Sequence, residues 1–136
     1  MNITIANVRD FLVPNPTGKG KRAVFPDEAH EWVGRAVPRW GLRQSPLRNP
    51  SAIRDFMGTT RDEKRRWCIR AYRIGLQNAL IVREPQKLAE LDRLRAIHEK
   101  HGRLVLVCCC ETWDGEGEAP GLCHAEEIKR VLEAER

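Results

Sequence analysis

Apolar positions along this chain follow two different rhythms. Ile3-Thr-Ile-Ala-Asn-Val8 alternates apolar with small or polar residues and is rich in β-branching, which predicts a strand. Glu31-Trp32-Val33-Gly34-Arg35 reads as a short second strand ending in glycine. Leu104-Val-Leu-Val-Cys108 is apolar without interruption, the pattern of a strand covered on both faces, as in a parallel sheet. Elsewhere the spacing is helical. Thr59 or Thr60 caps a helix with Asp62 and Glu63 in its first turn, running to about residue 82. Trp67, Ala71, Ile74 and Leu76 supply its apolar positions, and Arg66, Arg70 and Arg73 recur at three- to four-residue spacing as a basic stripe. Pro85 opens a second helix with Leu88, Leu91, Leu94 and Ile97 on one side and Gly102 as its C-cap. A last helix starts near His124, with Ile128, Val131 and Leu132 as its buried stripe.

Two segments break both rhythms. Residues 14–29 hold Pro14, Pro16, Gly18, Gly20 and Pro26, and residues 36–58 hold Pro38, Gly41, Pro46, Pro50 and Gly58. Both are expected to be long loops, and long loops in small domains often carry function. Gly18-Lys19-Gly20-Lys21 lacks the spacing of a phosphate loop. The predicted architecture is one α/β domain over residues 1–136. It is three-layer-like, with a short, mostly parallel sheet of three to four strands flanked by helices.

Composition narrows the function classes. No stretch approaches the roughly 18 apolar residues of a membrane span. The first residues show no positive segment followed by an apolar one, which predicts no secretory signal. Five cysteines, three of them consecutive, do not suit a secreted disulfide framework, so a reducing cytoplasm is expected. Net charge is +5 but uneven: residues 1–109 carry 21 Lys/Arg against 11 Asp/Glu, and residues 110–136 carry 3 against 8. This asymmetry is compatible with a phosphate-bearing partner for the basic part, while solvated helix faces with a few internal ion pairs are the more ordinary account of it.

The densest chemistry lies late in the chain, where Cys108, Cys109, Cys110, Cys123 and His124 fall close together. Strand alternation puts Cys108 and Cys110 on one face and Cys109 on the other. In a parallel sheet the functional crevice lies beyond the carboxyl ends of the strands, where Cys110 would meet Cys123 and His124 at the start of the last helix. Three readings remain open. Cys108, Cys110, Cys123 and His124 are a candidate zinc set, with a spacing unlike paired zinc knuckles. Cys110 or Cys123 is a candidate nucleophile assisted by His124. The thiols are otherwise small core residues, as Cys68 within its helix is expected to be. Arg9 and Arg35 each follow a strand and suit bidentate phosphate recognition. Asn49, before Pro50, is a turn former or a polar ligand contact, and Trp40 is a loop anchor or a stacking platform.

Val8-Arg9, Trp32-Val-Gly34-Arg35, Ser45-Pro-Leu-Arg-Asn49-Pro50, a helix with Tyr72, Leu106-Val-Cys-Cys-Cys110 and Cys123-His124 follow in order. This series resembles DUF4326, a small phage and bacterial domain family of unknown function. The terminal Cys-x-Cys…Cys-His element is also similar to that of DUF488. Ser51 stands where the family has phenylalanine, Cys109 where it has tryptophan, and Ala125 where it has glycine. The Thr60-to-Tyr72 spacing is about one helical turn longer than the family pattern. The resemblance spans nearly the whole chain and implies an α/β fold without an established reaction.

The resulting expectation is a domain that binds a nucleotide or other phosphorylated small molecule through Arg9, Gly34, Arg35, Asn49 and Trp40. Cys110, Cys123 and His124 are the candidate catalytic residues of a nucleoside-processing hydrolase or transferase. A host-interaction protein that sequesters a nucleotide, in the host cytoplasm if phage-encoded, fits the same pocket. The alternatives are a nucleic-acid-binding or protein-interaction module using the basic helix 61–73, and a zinc-stabilised structural domain. No cofactor other than zinc and no membrane are expected, and homo-oligomerisation is left open.

Overall fold

The uninterrupted apolar run 104–108 becomes the centre of the structure. In the computed structural model, which describes residues 1–51, 56–109 and 123–134, this run is strand β5 (Leu104–Cys108). Strand β1 (Ile3–Asn7) pairs parallel to one side of it and β4 (His30–Trp32) parallel to the other, giving the order β1-β5-β4. Every β5 residue is buried, as a strand covered on both faces requires. Its two faces feed separate cores. Leu104, Leu106 and Cys108 join Ile3 and the helices in one cluster. Val105 and Val107 join Val8, Trp32 and Leu42 in the other.

Three helices lie on the first face among the described residues: α1 (Arg61–Ile81), α2 (Pro85–His101) and α3 (His124–Ala134). Thr60 caps α1 by accepting a hydrogen bond from the Glu63 backbone N–H at 3.1 Å, and Gly102 closes α2 in the left-handed conformation. The second face is covered by a small antiparallel hairpin, β2 (Leu12–Pro14) with β3 (Lys21–Ala23), and by the 37–42 segment. Fold class, parallel pairing and all three helices agree with the expectation from sequence.

Two details differ. The 14–29 segment is not all loop: β3 lies within it, and the β2–β3 hairpin is held by pairs such as Val13 with Arg22. Strands of three residues, one ending in Pro14 and the other starting Lys21-Arg22, are too short and polar to show alternation. The buried face of α1 is only partly the one expected, with Leu76 and Cys68 inward as read from sequence. Trp67, Ala71 and Ile74 point to solvent, while Arg65, Cys68, Ile69, Tyr72, Leu76 and Ala79 turn inward. Both sides of this helix carry apolar residues at helical spacing, so periodicity alone does not choose between them. No helix among the described residues is long and apolar enough to cross a membrane.

Candidate functional site

The carboxyl ends of β1, β5 and β4 lie side by side, with Asn7 opposite Cys108 and Trp32 opposite Val107. The β4 backbone continues one step further, the Val33 N–H donating to the Val107 carbonyl at 2.9 Å. Gly34 comes next, and its identity follows from Trp32. The indole folds back so closely that a β-carbon on Gly34 would sit 2.4 Å from Trp32 Cζ2. The indole Nε1–H then donates to the Arg35 carbonyl at 2.9 Å. Trp32, Gly34 and Arg35 therefore form one clip, which turns the chain out of the sheet and presents the Arg35 side chain to solvent.

From this clip the remaining sequence motifs connect through hydrogen bonds and one aromatic ring contact. Arg35 Nε donates to the Asn49 carbonyl at 3.0 Å. Asn49 Oδ1 accepts from the Ser51 N–H at 3.0 Å, and its Nδ2 lies 3.3 Å from Cys68 Sγ in α1. Asn49 thus forms the turn expected before Pro50 and fastens it to a helix. The Ser45 N–H donates to the Gly34 carbonyl at 2.9 Å, while Ser45 Oγ accepts from the Leu47 N–H at 3.0 Å. The Tyr72 hydroxyl donates to the Leu47 carbonyl at 2.6 Å. The Tyr72 ring meets the His124 ring edge-on at 5.4 Å. His124 Nε2 lies 2.9 Å from the Val33 carbonyl, closing the circuit at β4. Because a carbonyl only accepts, Nε2 is the donor in this bond.

The thiols sit behind this network. Cys108 and Cys123 are buried with their sulfurs 3.3 Å apart, and Cys109 is exposed. Cys109 thus differs from Cys108 in exposure, one residue past the end of the strand. Cys110 lies outside the described residues. His124 is also buried, so Cys123 and His124 form the wall behind the strand ends. Among the described residues no three His, Cys, Asp or Glu side chains gather as a metal site would need.

Beside the wall, Glu127 is 2% exposed and accepts two hydrogen bonds from Arg73, Nε to Oε2 and Nη2 to Oε1, both 2.8 Å. The buried carboxylate raises the Arg73 guanidinium above its ordinary pKa, through hydrogen bonding first and charge second. The basic stripe is therefore not uniform. Arg73 is committed to Glu127, Arg70 lies over the Trp67 ring at 5.4 Å, and Arg66 approaches Asp62 at 3.7 Å.

Of the predicted site residues, the structure joins Gly34, Arg35 and Asn49 in one cluster, and Cys123 and His124 with Cys108 in a second touching it. Arg9 stands on the turn that follows β1, exposed at the same edge of the sheet. Trp40 is half-buried in the core of the opposite face, with the Arg39 guanidinium 5.0 Å above its ring, so it anchors the 37–42 segment. Ser45, Leu47, Tyr72, Arg73 and Glu127 were not singled out from sequence as site residues. Ser45 sits inside a recognised motif, but the partner of a buried carboxylate has no local signature. A groove of about 520 Å³ between residues 44–48 and α2 is lined by Gln44, Pro46, Arg48, Gln86, Ala89, Glu90 and Arg93, none of them a predicted site residue.

The family model of a domain of unknown function, DUF4326, matches residues 19–134. The chain belongs to this family. No curated protein and no solved structure matches it.

Proposed function

We propose that this DUF4326 member binds a nucleotide-like or other phosphorylated ligand at the carboxyl edge of its parallel sheet. One observation carries the reading. Arg9 and Arg35 follow the two strands that flank β5, both are exposed, and neither guanidinium meets a carboxylate among the described residues. Two strand spacings separate β1 from β4, about 10 Å, a span that suits two anionic oxygens of a phosphorylated ligand. Arginine's planar fork suits such oxygens, and the crevice beyond parallel strand ends is where α/β sheets commonly bind ligands. The hydrogen bond from Arg35 Nε to Asn49 orients the guanidinium and leaves its two terminal nitrogens for an anion.

Any hydrolysis or transfer would draw on Cys110, Cys123 and His124. Two of these are buried, which favours binding without turnover, as in a protein that sequesters a nucleotide in the cytoplasm. Calorimetric titration with nucleoside mono-, di- and triphosphates and inorganic phosphate tests the proposal. Arg9→Ala, at an exposed side chain with no ion pair among the described residues, is expected to weaken binding roughly tenfold with thermal stability unchanged. A panel that produces no heat and no thermal shift would sink the reading. Recovery of the bound nucleotide intact separates binding from turnover.

A second reading has its own support. Trp67 is 46% exposed beneath Arg70, and Ile74 is 50% exposed on the same helix. An arginine over an accessible aromatic ring suits a nucleic-acid or protein partner. Binding to single-stranded DNA with a steep salt slope, abolished by Trp67→Ala and untouched by Arg9→Ala, would favour it over the pocket.

A further inference from the structure

We infer that Cys108 and Cys123 are a dithiol–disulfide pair, a modification site that takes a low-molecular-weight disulfide as its oxidant. Cys108 is the last residue of β5, and the strand's alternation turns its side chain toward the helices. Cys123 immediately precedes α3, where its carbonyl accepts the Glu126 N–H at 3.1 Å and so fixes its backbone to the first helical turn. The two sulfurs face each other at 3.3 Å with both residues buried. A disulfide bond is about 2.05 Å long, so closure asks for roughly 1.3 Å of relative sulfur movement. The neighbouring Cys109 lies just past the strand and is exposed, unlike the buried pair.

The chemistry balances as two exchanges. One thiol loses its proton and attacks the small disulfide, forming a mixed disulfide and expelling one small thiolate, which takes up that proton. The second protein thiol loses its proton and attacks the protein-side sulfur of the mixed disulfide. The Cys108–Cys123 bond forms and a second small thiol leaves. The protein is oxidised by two electrons and one disulfide becomes two thiols.

Oxidation would tie α3 to the central strand at the point where His124 meets the Val33 carbonyl and Glu127 meets Arg73. It would therefore stiffen the wall behind the strand ends, whatever ligand lies in front of it.

The test equilibrates the full chain in a glutathione redox buffer and quenches it with acid. A glutamate-specific protease then cuts after Glu111 and Glu118, placing the two cysteines on separate peptides. A Cys109→Ser/Cys110→Ser variant, run in parallel, removes ambiguity within the triple-cysteine peptide. The expected product is a linked pair of peptides lighter by two hydrogens than the two thiol peptides together, and lost on reduction. The thermal midpoint is expected to rise by about 5–10 °C on oxidation. Cys108 and Cys123 that both alkylate as free thiols after denaturation, even in the most oxidising buffer, would overturn the inference. So would a linkage that runs instead through Cys109, Cys110 or a second molecule. Peptide mapping of the unmodified chain needs no cysteine-to-serine core variant, so the result does not depend on such a variant folding.

Discussion

Arg73→Ala is expected to destabilise the fold by about 3 kcal/mol. Glu127 is the reason. Its carboxylate is almost wholly removed from water, and Arg73 satisfies both of its oxygens from a neighbouring helix. Arg130 approaches the same carboxylate only at 3.8 Å and is itself largely exposed, so it replaces little of what Arg73 supplies. Removing Arg73 leaves a buried charge uncompensated, a larger penalty than the pair's own net worth. Arg73 is itself part-exposed, which keeps the estimate at the lower end of the range for buried pairs. Glu127→Gln in the Arg73→Ala background is therefore expected to recover at least about 1 kcal/mol, because it removes the charge and keeps the volume. Urea denaturation of the two single variants and the double variant measures this. A loss below about 0.5 kcal/mol for Arg73→Ala would show that water reaches Glu127 in the native state. The Arg73 guanidinium is held above its ordinary pKa in the fold, so its contribution is fully present below the ordinary value and is lost only as pH rises through the higher folded one. A stability difference that grew between pH 7 and pH 10 would thus come from another group.

The same ion pair shows where sequence reading stops. The central strand, the parallel pairing and the helix limits were legible because each rests on local signals: an unbroken apolar run, Thr60 as a cap, and Gly102 as a stop. The placement of Arg9 and Arg35 at one edge followed from topology once the strands were read as parallel. Arg73 carried no such signal. On the helix it repeats the spacing of Arg66 and Arg70, and only the packing of α3 against α1 separates it from them. Tyr72 and Ser45 were hidden for a related reason. Their partners are backbone carbonyls and amides of an irregular segment, and no spacing rule identifies which carbonyl a buried hydroxyl will find. The cysteines were legible in part. Alternation assigned Cys109 to the far face, yet the approach of Cys123 to Cys108 depends on where α3 begins relative to the strand, which is a tertiary fact.

Gly34→Ala is expected to cost about 3 kcal/mol and to weaken the ligand binding proposed for the strand ends together with stability. The added methyl would overlap three atoms of the Trp32 indole, at 2.4, 2.9 and 2.9 Å. A flexible chain end would yield at little cost, but an indole held on both sides does not. Its face packs in the second core with Val8, Leu42, Val105 and Val107, and its Nε1–H is bound to the Arg35 carbonyl. Relief requires either rotating the ring out of that core or moving residues 33–35 away from it. Ring rotation loses buried apolar contact and a hydrogen bond. Moving the segment strains the bonds of Val33 to His124 and of Gly34 to Ser45. Either route displaces Arg35 from the position that its bond to Asn49 secures, so stability and binding fall together. A smaller ring separates this explanation from a general intolerance of change at Gly34. Trp32→Phe removes the part of the indole that the methyl strikes, at the cost of its hydrogen bond and some packing. Gly34→Ala on top of Trp32→Phe is then expected to cost at least about 1 kcal/mol less than Gly34→Ala alone. Additive losses across the three variants would mean that the constraint on Gly34 lies in its backbone rather than in the indole folded over it.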